Sequence, residues 1–241
     1  METVTMPART HDELSVTSKE RLTRDRVIEA ALHIMDDEGL DAVTMRRVAR
    51  EVGVEAMSLY HHVRDKEDLL DGICAAVMQD FRYPDEDLPW IEVARDGARE
   101  WRRVLRDHPN VIAVWADRQS PMTDLEGLMP MEFALRVIGR AGIEAREGVL
   151  VFNVLGGYIM GVVMMEVGAM FSGPAHGAKA AGAPAVHSKF PREAFDTSWP
   201  TDRIPCITAA LPHLAACDPD EQFEFGLDLM LAGIQARVAR S

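Results

Sequence analysis

Between Thr23 and Phe81 the sequence carries start and stop signals for four helices in about sixty residues, a density that calls for a small, all-helical unit. Leu22, Thr23 and Val27 fit the N′, N-cap and N4 positions of a helix start, a cap with a hydrophobic staple. Val27, Ala30, Ala31, Ile34 and Met35 then repeat at the spacing of one apolar helical face. Gly39 can take the left-handed conformation that stops this helix. Thr44 caps a second, short helix with Val48, Ala49 and Val52 as its apolar residues, and Gly53 ends it. A third short segment runs from Glu55 to Val63. Asp65 then caps a longer helix with Leu69, Leu70, Ile73, Val77 and Phe81 on one face.

The rest of the chain reads as helical too. Only 6% of residues are aromatic while methionine reaches 14, which suits a helical interior better than sheets, so the fold class expected is all-α. RYPDEDLPW, from Arg82 to Trp90, breaks the helical pattern and reads as a connector. Further helices are expected near Trp90 to Asp107, Val111 to Asp117, Leu125 to Arg140, Glu144 to Met170 and Asp220 to Arg240. Eleven of the thirteen residues from Gly173 to Ala185 are Gly, Ala or Pro, which predicts a mobile loop. Residues 1–20 lack an apolar core of signal-peptide length and read as a flexible arm. The organisation expected is therefore an arm over 1–20, a small helical unit over 21–68 and a larger one over 69–241.

Gly148 to Met165 is an uncharged run of 18 residues, the lower limit for a membrane span. It holds Asn153 and four glycines and lacks a Lys/Arg-rich flank or an aromatic belt, so the favoured reading is a helix buried on nearly all sides, as at a subunit interface. Cys74, Cys206 and Cys217 lie far apart, forming neither a disulfide framework nor a zinc motif, and fit a reducing cytoplasm.

Ala49, Gly53 and Leu59 have the spacing of a helix-turn-helix: a small residue where two helices cross, a glycine in the turn, and an apolar anchor beyond. A short second helix with a polar tip suits a DNA major groove. The net charge of −13 excludes a wholesale basic coat but not a local basic face. Residues 44 to 64 hold Arg46, Arg47, Arg50 and Arg64 against Glu51 and Glu55, whereas residues 29 to 41 hold five acids and should face away from DNA. Signals for chemistry are missing. Gly156 to Gly161 has the glycine spacing of a phosphate loop but is followed by Val-Val, no G-x-S-x-G occurs, and His62 lacks an i+4 partner for a metal. No catalysis, no cofactor and no metal site are expected, the rival being a helical enzyme or small-molecule carrier with an incidental helix-turn-helix.

The stretch from Leu22 to Ile73 resembles the N-terminal DNA-binding domain of the TetR family of bacterial transcriptional repressors. The T-x-R-x-[VL]-A-x-x-x-G-V core is met by Thr44, Arg46 or Arg47, Val48, Ala49, Gly53 and Val54, and the L-Y-x-H-[VF]-x-x-K signature by Leu59, Tyr60, His62, Val63 and Lys66. REGVLVFNVLGGYIMG and DPDEQFEFGLDLMLAGI resemble, more loosely, the C-terminal domain of the tetracycline-repressor branch. The resemblance implies a cytoplasmic, ligand-responsive homodimeric repressor of a palindromic operator. Thr44 and Arg46 would open the second helix onto DNA, Ala56, Met57, Ser58 and Tyr60 would form the groove-facing tip, and His62 and Lys66 would anchor phosphates. Tyr60 can instead pack the small domain.

It further implies a subunit interface around Gly157, Gly161, Phe223 and Leu227, and an inducer site in the larger unit. The positions aligned with the drug-holding histidines of tetracycline repressors are Arg82 and Trp115, neither of which can ligate magnesium. The inducer expected is therefore largely apolar, held near Trp101, Trp115, Phe133, Phe152, Asn153 and Met160, with Asn153 as the polar contact. The same side chains could also close into a ligandless core, and Met160, Met164, Met165 and Met170 suit either core or pocket wall.

Overall fold

The computed structural model describes residues 21–117, 125–167, 201–215 and 218–240, and the regular elements among them are all helices. They are α1 (Arg24–Glu38), a 3₁₀ turn (Leu40–Ala42), α2 (Met45–Glu51), α3 (Ala56–Leu59), α4 (Lys66–Gln79), α5 (Trp90–Asp107), α6 (Val111–Asp117), α7 (Leu125–Arg140), α8 (Ala145–Glu166), α9 (Pro205–Ala215) and α10 (Pro219–Val238). The arm over 1–20 and the loop from Gly173 to Ala185 lie outside the described residues, as do Cys217 and Met170.

The capping side chains act as the sequence indicates. Thr23 Oγ accepts from the Arg26 amide at 3.3 Å, Thr44 Oγ from the Arg47 amide at 3.2 Å, and the Asp65 carboxylate from the Asp68 amide at 2.8 Å. Gly39 and Gly53 sit at φ +90° and +72°, the backbone region in which a glycine stops a helix without Cβ strain. The third segment is shorter than expected. Beyond Leu59 its bonds tighten to the i→i+3 kind, with the Tyr60 amide donating to Met57 and the His61 amide to Ser58, so α3 makes a single turn. Helix α9 was not anticipated, because Pro205 and Pro212 argue against a helix; Pro205 starts it, where a missing N–H is harmless, and Pro212 falls in its last turn.

Helices α1 to α3 form a head and α5 to α8 with α10 a body, with α4 packing against α1 on the head side and against α6 and α7 on the body side. Helix α8 packs against α5, α7 and α10. By length and composition it is long and apolar enough to cross a membrane. Within one chain it is not buried on nearly all sides: Val149, Leu150 and Val154 are exposed.

Two devices fix the body. Tyr158 on α8 donates its hydroxyl to the Phe223 carbonyl at 2.8 Å and stacks on the Phe223 ring, with centroids 5.9 Å apart, while Gly226 leaves room for the phenol. A Cβ at Gly226 would stand 2.6 Å from the Tyr158 ring carbon that bears the hydroxyl. Arg102 of α5, itself buried, bonds Glu166 at the end of α8 and Asp220 at the start of α10, both at 2.6 Å, and lies 4.5 Å over the Phe223 ring.

Head and body meet at the end of α1. His108, after α5, places Nδ1 2.8 Å from the Asp36 carboxylate, and Asn110 donates its side-chain amide to the Met35 carbonyl at 2.7 Å. The hydrogen bond to Asp36 raises the His108 pKa from its ordinary value against the opposing effect of burial, and Asp80 and Asp107 add to the rise.

Two outcomes are expected. Gly226→Ala should destabilise the fold by about 1–3 kcal/mol in urea unfolding, because neither the packed ring nor the helix can yield freely. Because folding raises the His108 pKa, its pair with Asp36 contributes fully at pH below the unfolded imidazole value and is lost as pH rises through the folded one. The stability advantage of the wild type over His108→Gln should therefore shrink as pH is raised above 6.5, the ordinary imidazole value, as read by thermal melts across that range.

Candidate functional site

The head's outward face is built around α2 and α3. Leu59, fully buried, anchors α3 against the head core, and Val48 and Ala49 do the same for α2. With the anchors inward, Met57 is left 71% exposed and Tyr60 48% exposed at the tip of α3, flanked by half-buried Ala56 and Ser58. Tyr60 thus does not pack inside the head. Thr44 and Arg46 lie exposed at the start of α2, Lys66 lies exposed at the start of α4, and His62 between α3 and α4 is half-buried.

The choice that the sequence leaves between Arg46 and Arg47 is separated by geometry. Arg47 sits between two carboxylates: its Nε donates to Glu38 at 3.0 Å, and its guanidinium also pairs with Glu51 at 2.5 Å. These bonds, Glu38 first, raise the Arg47 pKa, and the same contact holds the Glu38 carboxyl below its usual range. Arg46 forms no ion pair among the described residues, and its side chain stands in solvent. So one acid of the 29 to 41 stretch, Glu38, reaches back to α2.

A contact between residues far apart in sequence holds this face in place. Arg24 at the start of α1 grips Asp68 through two bonds of 2.8 and 3.1 Å and donates to the His62 carbonyl at 3.0 Å, while the Arg64 amide donates to Asp68 at 2.8 Å. Together these hold the Asp68 carboxyl far below the usual carboxylate range, the Arg24 guanidinium being the main cause. Sequence reading missed the pair, since its members stand 44 residues apart and no local spacing marks them.

The body holds a cavity of about 400 Å³ between α5, α7 and α8, lined also by Met78 and Phe81 near the end of α4. Trp101, Phe133, Phe152, Asn153 and Met160 all line it. Trp115 does not. It stacks on Trp101, with ring centroids 5.5 Å apart, and stands outside the lining. Among the described lining residues the polar side-chain groups are the Trp101 indole N–H and the Asn153 amide, and Asn153 is exposed, so it sits at the rim. Phe81, read from sequence only as a core position, is part of the aromatic wall, 5.9 Å from Phe133 and 6.3 Å from Trp101. Burial pushes the Cys74 thiol up to about 11, away from reactive thiolate chemistry.

The expected subunit interface needs correction at two residues. Phe223 and Leu227 are both fully buried inside their own chain, against Tyr158 and the body core, and cannot meet a partner. The side of α10 that faces outward carries Phe225 (67% exposed) and Leu229 (62% exposed), with Ala232, Gly233 and Ala236 continuing the stripe at helical spacing. The alternation defeats sequence reading because α10 is apolar on two faces. Gly157 and Gly161 have no side chain near a would-be Cβ. They share α8 with exposed Leu150 and Val154.

Against known families, the profile described as bacterial regulatory proteins, tetR family, matches residues 27–73, and that described as tetracyclin repressor-like, C-terminal domain, matches residues 83–238. The HTH-type transcriptional repressor DrrR1 of Streptomyces coeruleorubidus is 34% identical over 151 residues, which make up 62% of this chain but only 55% of that protein. The tetracycline repressor protein class D of Escherichia coli is 25% identical over 221 residues, 90% of this chain and 91% of that one. Among solved structures, ActR from Streptomyces coelicolor in complex with actinorhodin superposes with a TM-score of 0.73 at 26% identity, covering 90% of this chain and 99% of that one.

Proposed function

The chain belongs to the TetR family of bacterial DNA-binding transcriptional regulators, and from that premise we propose that it is a homodimeric repressor released from a palindromic operator when a largely apolar small molecule enters its body. The observation that carries this reading is the body cavity: about 400 Å³, walled by aromatic rings and aliphatic side chains, with two polar groups to orient a guest. ActR, solved with actinorhodin bound, is a precedent for a ligand held by a protein of this fold. The division into a head over 21–68 and a body over 69–241 follows the same reading, with α4 shared between them.

On the head, Thr44, Arg46, Ala56, Met57, Ser58, Tyr60, His62 and Lys66 would meet DNA. Helix α3 would enter the major groove, and the residues around it would position the backbone. In the body, Trp101, Phe133, Phe152, Asn153 and Met160 would hold the ligand. A magnesium chelate fits poorly, because the described residues that line the cavity include no histidine or carboxylate to hold the ion. Cavity and operator would be linked through the body-to-head path along α4 and α6. A ligand that favours the arrangement with mis-spaced heads weakens DNA binding by that preference alone.

The subunit interface would be a four-helix arrangement of α8 and α10 from each chain, built on Leu150, Val154, Gly157, Gly161, Phe225 and Leu229. Here the paired glycines would let helices approach closely, and the two exposed apolar stripes would be covered.

Two measurements test the reading. A panel of aromatic compounds, and separately tetracycline with magnesium, are titrated while tryptophan fluorescence and operator release are followed. A fluorescence change with release is expected for a member of the aromatic panel, and magnesium-dependent release by tetracycline would overturn the apolar assignment. Leu229→Glu should give monomers by light scattering with weakened operator binding, whereas a dimer of unchanged affinity would remove α10 from the interface.

A further inference from the structure

The exposed end of α3 lacks the side chains that ordinarily read bases by hydrogen bonds. Direct readout through two-point bonding is the work of Arg, Lys, Asn and Gln, and residues 54 to 60, VEAMSLY, contain none of them. Glu55 precedes the helix at its N-cap position and makes no capping bond; as an acceptor it could take only an amino group such as that of cytosine. Ser58 is half-buried. The most exposed large apolar side chain of the tip is Met57, 71% exposed, followed by Tyr60 at 48%. The cations surround this tip without entering it: Arg46 and Arg50 lie exposed on α2, and Arg64 and Lys66 lie exposed at the junction with α4. The head thus has a positive rim and an apolar centre.

We propose that Met57 is a specificity-determining residue that reads a thymine through van der Waals contact with its C5-methyl group. The inference rests on the DNA-binding reading above and deepens it. The thymine methyl is the apolar feature that the major groove offers, and a thioether is flexible and polarizable enough to close on it without a fixed hydrogen-bond geometry. A side chain of this size left in solvent on a one-turn helix contributes nothing to the head core, whose anchor is Leu59. The Arg24–Asp68–His62 contacts hold the segment after α3 from behind, so the tip is presented from a fixed base.

The test uses the full chain. Duplexes retained from a random pool define the half-site, and each thymine in it is then replaced singly by deoxyuridine, which removes the methyl group and leaves every hydrogen-bonding group in place. At one thymine per half-site the wild type should lose roughly three- to tenfold in affinity, the size of one lost methyl contact. Met57→Ala, and Met57→Gln of the same length, should bind the parent duplex more weakly and be indifferent to deoxyuridine at that position, with unchanged melting temperatures. Wild-type binding that tolerates deoxyuridine at every thymine, half-sites that contain no thymine, or the same loss in Met57→Ala would overturn the proposal while leaving the repressor reading intact. A pool from which nothing is enriched would overturn both.

Discussion

Asp68 accepts from two guanidinium nitrogens of Arg24 and from the Arg64 amide, and the same guanidinium holds the His62 carbonyl, so one ion pair joins the first turn of α1, the exit from α3 and the first turn of α4. The Asp68 side chain is only 10% exposed, and losing Arg24 would leave a largely desolvated carboxylate without its main counter-charge, the unfavourable case for a half-broken pair. Everything that makes the head useful hangs from this join. Helix α3 is a single turn and cannot hold its own direction by backbone bonding. It is held by Leu59 from within and by the segment that Asp68 fixes behind it. From Asp68 onward α4 continues without a break into the body, where Met78 reaches the cavity.

Much of this was legible in the sequence, because the head is local. Caps and stops at Thr23, Gly39, Thr44, Gly53 and Asp65 act over three or four residues, and a single chain of characters records them completely. The apolar wall of the body was legible in composition, and five of the six side chains chosen for it line one cavity. Trp115 failed for a physical reason: a tryptophan in an aromatic cluster can be the lining or the layer behind it, and stacking on Trp101 put it behind. Phe223 and Leu227 failed because α10 presents phenylalanine and leucine in both directions, and Tyr158 and Arg102, more than 60 residues away, hold the Phe223 side inward. Arg24 and Asp68 were invisible for the same reason of distance.

Helix α8 is asked to do two things at once. One side supplies Phe152 and Met160 to the cavity, and another leaves Leu150 and Val154 exposed, with Gly161 half-buried beyond them. Asn153 and Gly157 belong to both, being lining residues that are also exposed. A side chain added to the exposed stripe is therefore never more than a residue or two from the cavity wall. The two properties cannot be tuned independently along this helix.

The carboxylates around Arg47 bear on how the chain senses ionic strength. A cation that meets a phosphate displaces counterions from the nucleic acid, and each such contact steepens the fall of affinity with salt. Arg47 is already neutralised by Glu38 and Glu51, so turning it toward a phosphate would exchange one anion for another and strand two acids beside the duplex. In a chain of net charge −13, Arg47 serves as internal cement between α1 and α2, while Arg46, Arg50 and Lys66 stand exposed on the same face. A count of arginines in the basic stretch therefore overstates the salt sensitivity of the head, since Arg47 and Arg64 both already face a carboxylate.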